Sequence, residues 1–428
     1  MFTSDLIIIG SGPGGYRAAD YAARNGLNVT IVENKQAGGT CLNTGCIPTK
    51  ALVHDADLQK RSWAEAVIRK NAVVDQLAKG IESMLAQQGI TMVHGQAEFQ
   101  DAHTVRVDGA LYSAHHIIIA TGSEPAIPPI EGISNSCVIT SNQLLSLKEL
   151  PQSLCIIGAG VIGTEFASLL NGFGCKVTVI EYLKECLHSF DSDIAKRVRK
   201  QMERRGIDFH LSCKVTQITE GKVHFEDKKG DEHSLPAHLT LVATGRLPNL
   251  TGFGIEKSGV NFTSKGIAVN DNMQTNIPHI YAIGDCNGRQ LLAHAATFQG
   301  FKAVNSILGK TDHINLNIMP AAVFANPETA CAGLTLSAAQ EQGVHAQERK
   351  GFYRANGRAV AIEADEGMVK LVTNENDTII GCHAYGFHAA DIVQEVSSLM
   401  NLNATRTQLA DIVHIHPTVA EVLQDLAR

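Results

Sequence analysis

The chain has 428 residues, 44% of them hydrophobic and 18% charged, and a formal net charge of −7. This length is enough to bury two or three hydrophobic cores. The negative charge argues against nucleic acid or an anionic membrane as a partner, because neither attracts an acidic surface. No apolar run reaches the roughly 20 residues that span a bilayer, and the N-terminus runs directly into a predicted strand. We therefore expect a cytoplasmic globular protein.

A dinucleotide-binding pattern opens the chain. A buried strand is predicted over Leu6–Ile9, the run GSGPGG follows it, and the next predicted strand ends at Glu33. In such a βαβ unit Gly10 makes the tight turn, Gly12 lets the backbone approach a pyrophosphate, and Gly15 lets the helix pack on the strand. Glu33 is placed to accept hydrogen bonds from ribose hydroxyls. A simple glycine turn is the alternative, and the flanking strands argue against it.

Two cysteines, Cys41 and Cys46, stand five residues apart in the stretch GGTCLNTGCIPTK. In a continuous helix their Cα atoms would be about 8 Å apart, whereas a disulfide prefers about 5.5 Å. Gly45 and Pro48 can distort the backbone here, since glycine relaxes φ and proline is tolerated only near a helix start. A helix that begins near Cys46 would favour its thiolate. A structural disulfide or two buried thiols is the alternative for such a pair.

The segment after the cysteines predicts a long helical tract over residues 49–89, then strands over 94–99, 104–107 and 116–122. Residues 132–151, bracketed by Pro128, Pro129 and Pro151, have the pattern of a linker. The other eight cysteines stand mostly singly in apolar segments. We interpret them as buried thiols and predict no metal site, because no metal-ligand spacing is present.

A second dinucleotide-binding pattern follows the linker. A strand over Leu154–Ile157 precedes the run GAGVIG, and the next predicted strand ends at Glu181. A carboxylate at this place suits the free ribose 2′-hydroxyl of NAD and repels the 2′-phosphate of NADP. The later segment LTLVATG, residues 239–245, repeats the pattern of residues 117–122. This internal repeat predicts two domains of similar build.

The last part of the chain places two acids and a histidine after predicted strands. Asp285 follows the strand of YAIGD and either meets a ligand or caps the helix predicted over Leu291–Leu308. Further strands are predicted over 321–324, 359–363, 368–373 and 379–385, with helices from Ala389 and Thr418. Pro417 can open that last helix and keeps His416 extended. Glu421 could then reach back to His416 and raise the basicity of its imidazole, as a general base requires. A simple turn is the alternative.

Together these motifs resemble the dihydrolipoyl dehydrogenases, a branch of the flavoprotein (pyridine nucleotide) disulfide reductases. The resemblance rests on GGTCLNTGCIPTK, ATGSEPAIP, ATGRLPN, YAIGD, LLAHAA and HIHPTVAE, and it covers nearly the whole chain. It implies an α/β fold with two Rossmann-like nucleotide-binding domains and a C-terminal α+β dimerisation domain. The implied bounds are 1–145 with 270–312 for FAD, 146–269 for NAD, and 313–428 for the homodimer interface.

The resemblance also implies the residues of the site. Cys41 would exchange with the dithiol substrate, Cys46 would contact the flavin, and Lys50 would pair with Glu165. His416 and Glu421 of one subunit would serve the disulfide of the other. The implied FAD-binding residues are Gly10, Gly12, Gly14, Gly15, Glu33, Gly39, Thr40, Lys50, Ala97, Thr121, Gly122, Asp285 and Ala293. The implied NAD-binding residues are Gly158, Gly160, Gly163, Glu181, Val215 and Gly245.

The implied reaction is the oxidation of dihydrolipoamide, carried by a separate lipoylated protein of a 2-oxo acid dehydrogenase or glycine cleavage system, with reduction of NAD. Three features depart from the family pattern: a short helical arm after Lys50, the stretch Phe324–Glu328 in place of the usual version that contains a tyrosine, and Ala295 in place of a common lysine. These departures bear on the entrance for the substrate more than on the chemistry at the cysteines. A reductase of another small disulfide, such as glutathione, and a flavin-binding scaffold without turnover are the alternatives. Glutathione reductase would want basic residues near Glu181, and a mercuric reductase a C-terminal cysteine pair.

Overall fold

The computed structural model describes residues 3–428. The strands are β1 (Ser4–Ile9), β2 (Val29–Glu33), β3 (Thr91–His94), β4 (Glu98–Phe99), β5 (Thr104–Val107), β6 (Ala110–Ile119), β7 (Ser123–Pro125), β8 (Val138–Thr140), β9 (Ser153–Ile157), β10 (Lys176–Glu181), β11 (Asp208–Leu211), β12 (Lys214–Thr219), β13 (Lys222–Glu226), β14 (Glu232–Pro236), β15 (Leu239–Val242), β16 (Arg246–Pro248), β17 (Phe262–Thr263), β18 (Gly266–Ile267), β19 (Ile280–Ala282), β20 (Ala321–Val323), β21 (Thr329–Gly333), β22 (Ala346–Phe352), β23 (Met368–Asn374) and β24 (Ile379–Tyr385).

The α-helices are α1 (Pro13–Arg24), α2 (Gly39–Thr44), α3 (Cys46–Leu58), α4 (Trp63–Gln87), α5 (Ser141–Leu144), α6 (Val161–Gly172), α7 (Ser192–Arg204), α8 (Ala293–Ile307), α9 (Leu336–Glu341), α10 (Gly357–Ala361), α11 (Ala389–Asn401), α12 (Arg406–Ala410) and α13 (Glu421–Ala427). Short 3₁₀ turns cover Ile255–Ser258, Gly284–Asn287 and Tyr353–Ala355.

The first sheet has the order β3-β2-β1-β6-β5-β4, and β19 returns the chain to pair with β6. Strands β1, β2, β3, β6 and β19 are mutually parallel where they pair. Both faces of the parallel part are covered, which explains its continuous apolar strands such as Leu6–Ile9. Helices α1 and α8 pack together on one face, where the alanines at 18, 19, 22 and 303 are buried. The carboxyl ends of these strands define one edge, where ligands bind in such folds.

The second sheet repeats the arrangement of the first, with the order β11-β10-β9-β15-β8, all parallel. Helix α6 crosses from β9 to β10 as α1 crosses from β1 to β2. The meander β12-β13-β14 packs beside it. Two Rossmann-like units of similar build are therefore confirmed.

The last unit is an antiparallel sheet of order β20-β21-β24-β23-β22. Helices α11 and α13 share its buried core, which includes Val369, Leu371, Val396 and Leu423. This is the predicted α+β unit at the C-terminus. Among residues 3–428, no helix is long and apolar enough to cross a membrane.

Two segments belong to a different unit from the one to which the predicted domain bounds assign them. Strand β8 pairs with β15 in the second sheet, although the predicted bound at 145 assigns it to the first unit. Residues between 250 and 267, including Phe253 and Ile255, bury their side chains in the core under the first sheet, although the bound at 269 assigns them to the second. Strand pairing places β8 in the second unit, and hydrophobic burial places residues 250–267 in the first. The composition of the linkers does not indicate either assignment.

Local structure differs from the sequence prediction in several places. The expected strand over 94–99 is divided between β3, which ends at His94, and β4, which begins at Glu98, and the expected linker over 132–151 contains β8 and α5. The expected strand over 359–363 is helix α10, because the Asn356 side chain caps its first turn by accepting from the Ala359 amide at 2.9 Å. The expected tract over 49–89 is two helices, since Ser62 and Glu65 form a capping box that starts α4. The last helix begins at Glu421 and not at Thr418, because i to i+3 hydrogen bonds at Val419 and Ala420 precede it.

Candidate active site

A cavity of about 1730 Å³ opens at the carboxyl ends of the first sheet and runs between the three units. It is lined by segments from both Rossmann-like units and from the C-terminal unit, including Val393 and Gln394 of α11. Every residue predicted for FAD lies on its wall: Gly10, Gly12, Gly14, Gly15, Glu33, Gly39, Thr40, Lys50, Ala97, Thr121, Gly122, Asp285 and Ala293. Cys41, Cys46 and Glu165 line it as well. The structure thus gathers these residues in one space.

The first glycine turn has the shape of a phosphate cradle. A Cβ atom on Gly15 would clash with the carbonyl oxygen of Gly10, so the close packing of α1 on the turn requires glycine there. A Cβ atom on Gly12 would meet nothing within 4 Å, which leaves its backbone open to a ligand. The Glu33 carboxylate is 7% exposed and accepts from the Ser11 amide and hydroxyl at 2.8 and 2.7 Å and from the Lys35 amide at 2.8 Å.

The second glycine turn has the same geometry. A Cβ atom on Gly163 would clash with the Gly158 carbonyl oxygen, whereas one on Gly160 would meet nothing within 4 Å. The Glu181 carboxylate accepts from the Ala159 amide at 2.5 Å and from the Leu183 amide at 2.7 Å. The six residues predicted for NAD do not line the large cavity: Gly158, Gly160, Gly163, Glu181, Val215 and Gly245. Their neighbours Val161 and Ile162 do, so this turn borders the cavity at the start of α6.

Cys41 and Cys46 lie on two separate helices. Cys41 is in α2, and Cys46 is the first residue of α3. Gly45 breaks the helix between them with φ −148° and ψ −116°, and a side chain there would press on the Thr40 carbonyl oxygen at 2.8 Å. The break lets the sulfur atoms approach each other, and it is the backbone distortion that the sequence predicts at Gly45.

In this structure Cys41 and Cys46 are thiols that share a hydrogen bond. That bond from Cys41, aided by the positive charge of Lys50, lowers the pKa of Cys46 to about 7, although burial opposes the shift. The same bond and burial raise the pKa of Cys41. Of the two thiols, Cys46 is therefore the one that ionises first, and Cys41 keeps its proton to higher pH. This asymmetry is the state from which one sulfur donates electrons and the other exchanges with a substrate.

Lys50 and Glu165 form an ion pair beside the thiols. The Lys50 Nζ lies 2.8 Å from both carboxylate oxygens of Glu165. Glu165 is 5% exposed and sits on α6, whereas Lys50 follows Cys46 by one turn on α3. Residues four apart share a helix face, so the ammonium lies on the same side of α3 as the Cys46 sulfur. The pair joins the first Rossmann-like unit to the second.

Asp285 belongs to a half-buried polar cluster. It accepts from the Ser123 hydroxyl at 2.5 Å, and Arg246 donates to the same hydroxyl at 2.7 Å. Burial raises the pKa of Asp285 and lowers that of Arg246. Asp285 does not cap the following helix, whose N-cap is Leu292. Sequence reasoning missed Ser123 and Arg246 as members of this cluster, although ATGSEP and ATGRLPN contain them.

His416 and Glu421 lie together, but outside the cavity. The His416 Nδ1 is 2.9 Å from a Glu421 carboxylate oxygen, and the Thr418 amide donates to the other at 2.8 Å. These hydrogen bonds lower the pKa of Glu421. The His416 side chain is 81% exposed, and its neighbours Val413 and Ile415 are 91% and 79% exposed. An imidazole aligned by a carboxylate thus projects from an uncovered apolar surface.

The chain belongs to the pyridine nucleotide-disulphide oxidoreductases. Residues 4–300 match the family of that description, and residues 319–427 match its dimerisation domain. The chain is 35% identical to the mitochondrial dihydrolipoyl dehydrogenase of Pisum sativum, over 99% of this chain and 91% of that protein. It is 34% identical to the dihydrolipoyl dehydrogenase of Bacillus subtilis, over 98% and 97%.

Among solved structures, the fold is similar to the HOCl-induced flavoprotein disulfide reductase RclA of Escherichia coli. The TM-score is 0.91 at 32% identity, over 99% of each chain. The predicted family and enzyme class are thereby confirmed: the protein is a flavoprotein disulfide oxidoreductase, with FAD and NAD(H) as cofactors and a domain that forms homodimers. The first glycine cradle, open at Gly12, fits the FAD pyrophosphate, and the second cradle, open at Gly160, fits a second nucleotide.

Proposed function

We propose that this enzyme oxidises dihydrolipoamide with NAD⁺. The observation that carries the proposal is the Cys41–Cys46 pair with its split thiol pKa values, placed beside the Lys50–Glu165 ion pair on the wall of the cavity. The relatives at about 35% identity that are named dihydrolipoyl dehydrogenases support the choice of dithiol. In the cell the substrate would be dihydrolipoamide attached to a separate protein, and the location would be the cytoplasm.

The reaction balances as a dithiol–disulfide exchange followed by a two-electron transfer. A thiolate of dihydrolipoamide attacks the Cys41 sulfur of the oxidised pair and releases Cys46 as thiolate. The second substrate thiol displaces Cys41, which closes the lipoamide ring and leaves both cysteines reduced. Two electrons and one proton then leave as hydride to NAD⁺, the second proton goes to solvent, and the Cys41–Cys46 disulfide forms again. Bound FAD supplies the two-electron carrier between thiols and nicotinamide.

The other residues have supporting roles in this proposal. His416, aligned by Glu421, takes the proton of the substrate thiol, and it does so across the dimer interface. Lys50, paired with Glu165, stabilises the Cys46 thiolate. The residues on the cavity wall that were predicted for FAD hold that cofactor, so the first sheet is the FAD unit, the second sheet the NAD unit, and residues 313–428 the interface unit.

The position of Glu181 predicts that NAD⁺ is used much better than NADP⁺. A carboxylate that faces the 2′-phosphate costs several kcal/mol, and each 1.4 kcal/mol is a factor of ten. We expect kcat/KM to favour NAD⁺ by roughly 10² or more. The Glu181→Gln variant keeps the side-chain shape and should narrow the ratio, because the negative charge is lost together with one of the two amide hydrogen bonds. Equal kcat/KM for the two cofactors in the unaltered enzyme would contradict the prediction.

The second glycine turn offers a matched pair of substitutions. In Gly163→Ala the new Cβ meets the Gly158 carbonyl oxygen, and we expect a loss of about 1–3 kcal/mol of stability from this overpacking. In Gly160→Ala the new Cβ has free space and φ is −72°. That variant should keep its Tm but show a raised KM for NADH, because the methyl group occupies the approach to the pyrophosphate. Thermal unfolding and steady-state kinetics distinguish the two; similar Tm losses in both would refute this account.

A reductase of another small disulfide is the second candidate, favoured by the similarity to a solved flavoprotein disulfide reductase and by the departures at Phe324 and Ala295. One panel decides between them. Rates are measured with dihydrolipoamide and NAD⁺ or NADP⁺, and with glutathione disulfide, a trypanothione-like disulfide or Hg(II) and NADH or NADPH. The proposal expects dihydrolipoamide with NAD⁺ to have the highest kcat/KM. A higher kcat/KM for another substrate would contradict the proposal and would identify that compound as the substrate instead.

A further inference from the structure

The ion pair at the thiol centre has a third member that comes from the C-terminal unit. Phe324 follows strand β20, and its ring lies against the Lys50 ammonium, with Nζ 4.9 Å from the ring centroid. Its backbone amide donates to a Glu165 carboxylate oxygen at 2.8 Å. Lys50 and Glu165 are thus both held by the same residue, one through a π face and the other through the main chain.

The main chain around Phe324 is itself fixed. The Asn326 amide donates to the Ser168 hydroxyl at 2.8 Å, and the Asn326 side chain donates to Asp57 at 3.1 Å. Ser168 lies on α6 and Asp57 on α3, the same helices that carry Glu165 and Lys50. Phe324 therefore cannot shift without breaking contacts to both helices.

We propose that Phe324 is a positioning residue, whose ring holds the Lys50 ammonium where its charge acts on the Cys46 sulfur. The Lys50 side chain is 32% exposed, so without the ring the side of the ammonium that Glu165 does not contact would be open to water. A cation is attracted to an aromatic face within about 6 Å of its centroid, and more strongly where water is excluded. A phenylalanine supplies this face without the hydroxyl of a tyrosine. The inference rests on the proposed role of Cys41 and Cys46 as the redox thiols.

The consequence is an electrostatic one. The charge of Lys50 is among the causes that lower the pKa of Cys46. If the ring is removed, the ammonium is better hydrated and its field at the sulfur weakens, so that the thiolate forms at higher pH. Any aromatic side chain at position 324 preserves the lowered pKa of Cys46, whereas an aliphatic side chain of similar size does not.

The test uses the FAD-containing, reduced enzyme and its variants Phe324→Leu, Phe324→Tyr, Lys50→Met and Lys50→Met/Phe324→Leu. The rate of Cys46 alkylation by iodoacetamide is followed against pH, with the modified residue identified by mass spectrometry. We expect the midpoint to rise by roughly 0.5–1 pH unit in Phe324→Leu and to stay in place in Phe324→Tyr. In the Lys50→Met background, Phe324→Leu should add nothing, because Phe324 acts through Lys50.

Two results would overturn the inference: an unchanged midpoint in Phe324→Leu, or an equal shift with and without Lys50, which would mean that the ring acts only by excluding water. If Phe324→Leu loses FAD, Phe324→Met replaces it with a longer aliphatic side chain, and the same comparison decides. The midpoint does not depend on which disulfide is the substrate. A failed substrate panel with a shifted midpoint would thus reject the proposed substrate alone, whereas an unchanged midpoint rejects the role of Phe324 alone.

Discussion

Replacement of either Cys41 or Cys46 by serine should abolish dithiol-dependent turnover, by at least about 10³-fold, because no other nucleophile can replace the exchanging sulfur. FAD should remain bound in both variants, since the glycine cradle at Gly10–Gly15 and Asp285 are untouched. The measurements are dihydrolipoamide oxidation at saturating NAD⁺ and the flavin absorbance of the purified protein.

A matched control is Cys137→Ser, which removes a half-buried thiol that hydrogen bonds the Thr219 carbonyl oxygen, away from the cavity. It should keep full activity. NADH-dependent reduction of an artificial electron acceptor should also persist in the Cys41 and Cys46 variants, because it bypasses the thiols. Retained dithiol turnover in both serine variants would end the disulfide mechanism.

Two inactive variants should restore activity when they share a dimer. His416 is exposed and does not line the cavity that contains Cys41, so we expect it to reach the thiols of the partner subunit. In a heterodimer of Cys46→Ser with His416→Gln, one of the two sites has both residues intact. Loss of a general base costs about 10²–10⁴-fold, so the turnover of isolated heterodimers, near half of the wild-type value because one of their two sites is intact, would stand far above either parent.

The experiment dissociates and remixes differently tagged variants, isolates the heterodimers and measures dihydrolipoamide oxidation. A mixture of His416→Gln with Glu421→Gln is the negative control, because both changes lie in the same half of the site and neither heterodimer site is intact. Heterodimers of the first mixture that are as inactive as their parents would show that the site is built within one chain.

The parts of the molecule that depend on local sequence were predictable. Glycine spacing and apolar strands predicted both Rossmann-like units, because each turn from strand to helix is built from neighbouring residues. The break at Gly45 and the contact between His416 and Glu421 likewise join residues at most five positions apart. Alanine and valine within residues 359–363 indicated a strand, but a cap from Asn356, just outside that window, made a helix.

Contacts between distant residues were harder to foresee from composition and spacing. Ser123, Arg246 and Asp285 meet across separations of 123 and 162 residues, and no periodicity connects them. The pairing of Lys50 with Glu165, 115 residues apart, entered only through the family resemblance. Phe324 was noticed as a departure from a pattern, yet its contact with Lys50 is visible only when β20 and α3 are placed side by side.

The meeting of Lys50, Glu165 and Phe324 has a consequence for anyone who cuts or recombines this chain. Each of the three residues is contributed by a different folding unit, so no one unit contains all the groups that surround the thiols. A separately expressed FAD unit could contain both cysteines and the flavin cradle and still lack the carboxylate and the ring that surround Lys50. A chimera that borrows its nucleotide unit from a relative must likewise match helix α6 to the segment after β20. An exchange of the nucleotide unit that is meant to change cofactor specificity would therefore also change the pKa values of the thiols.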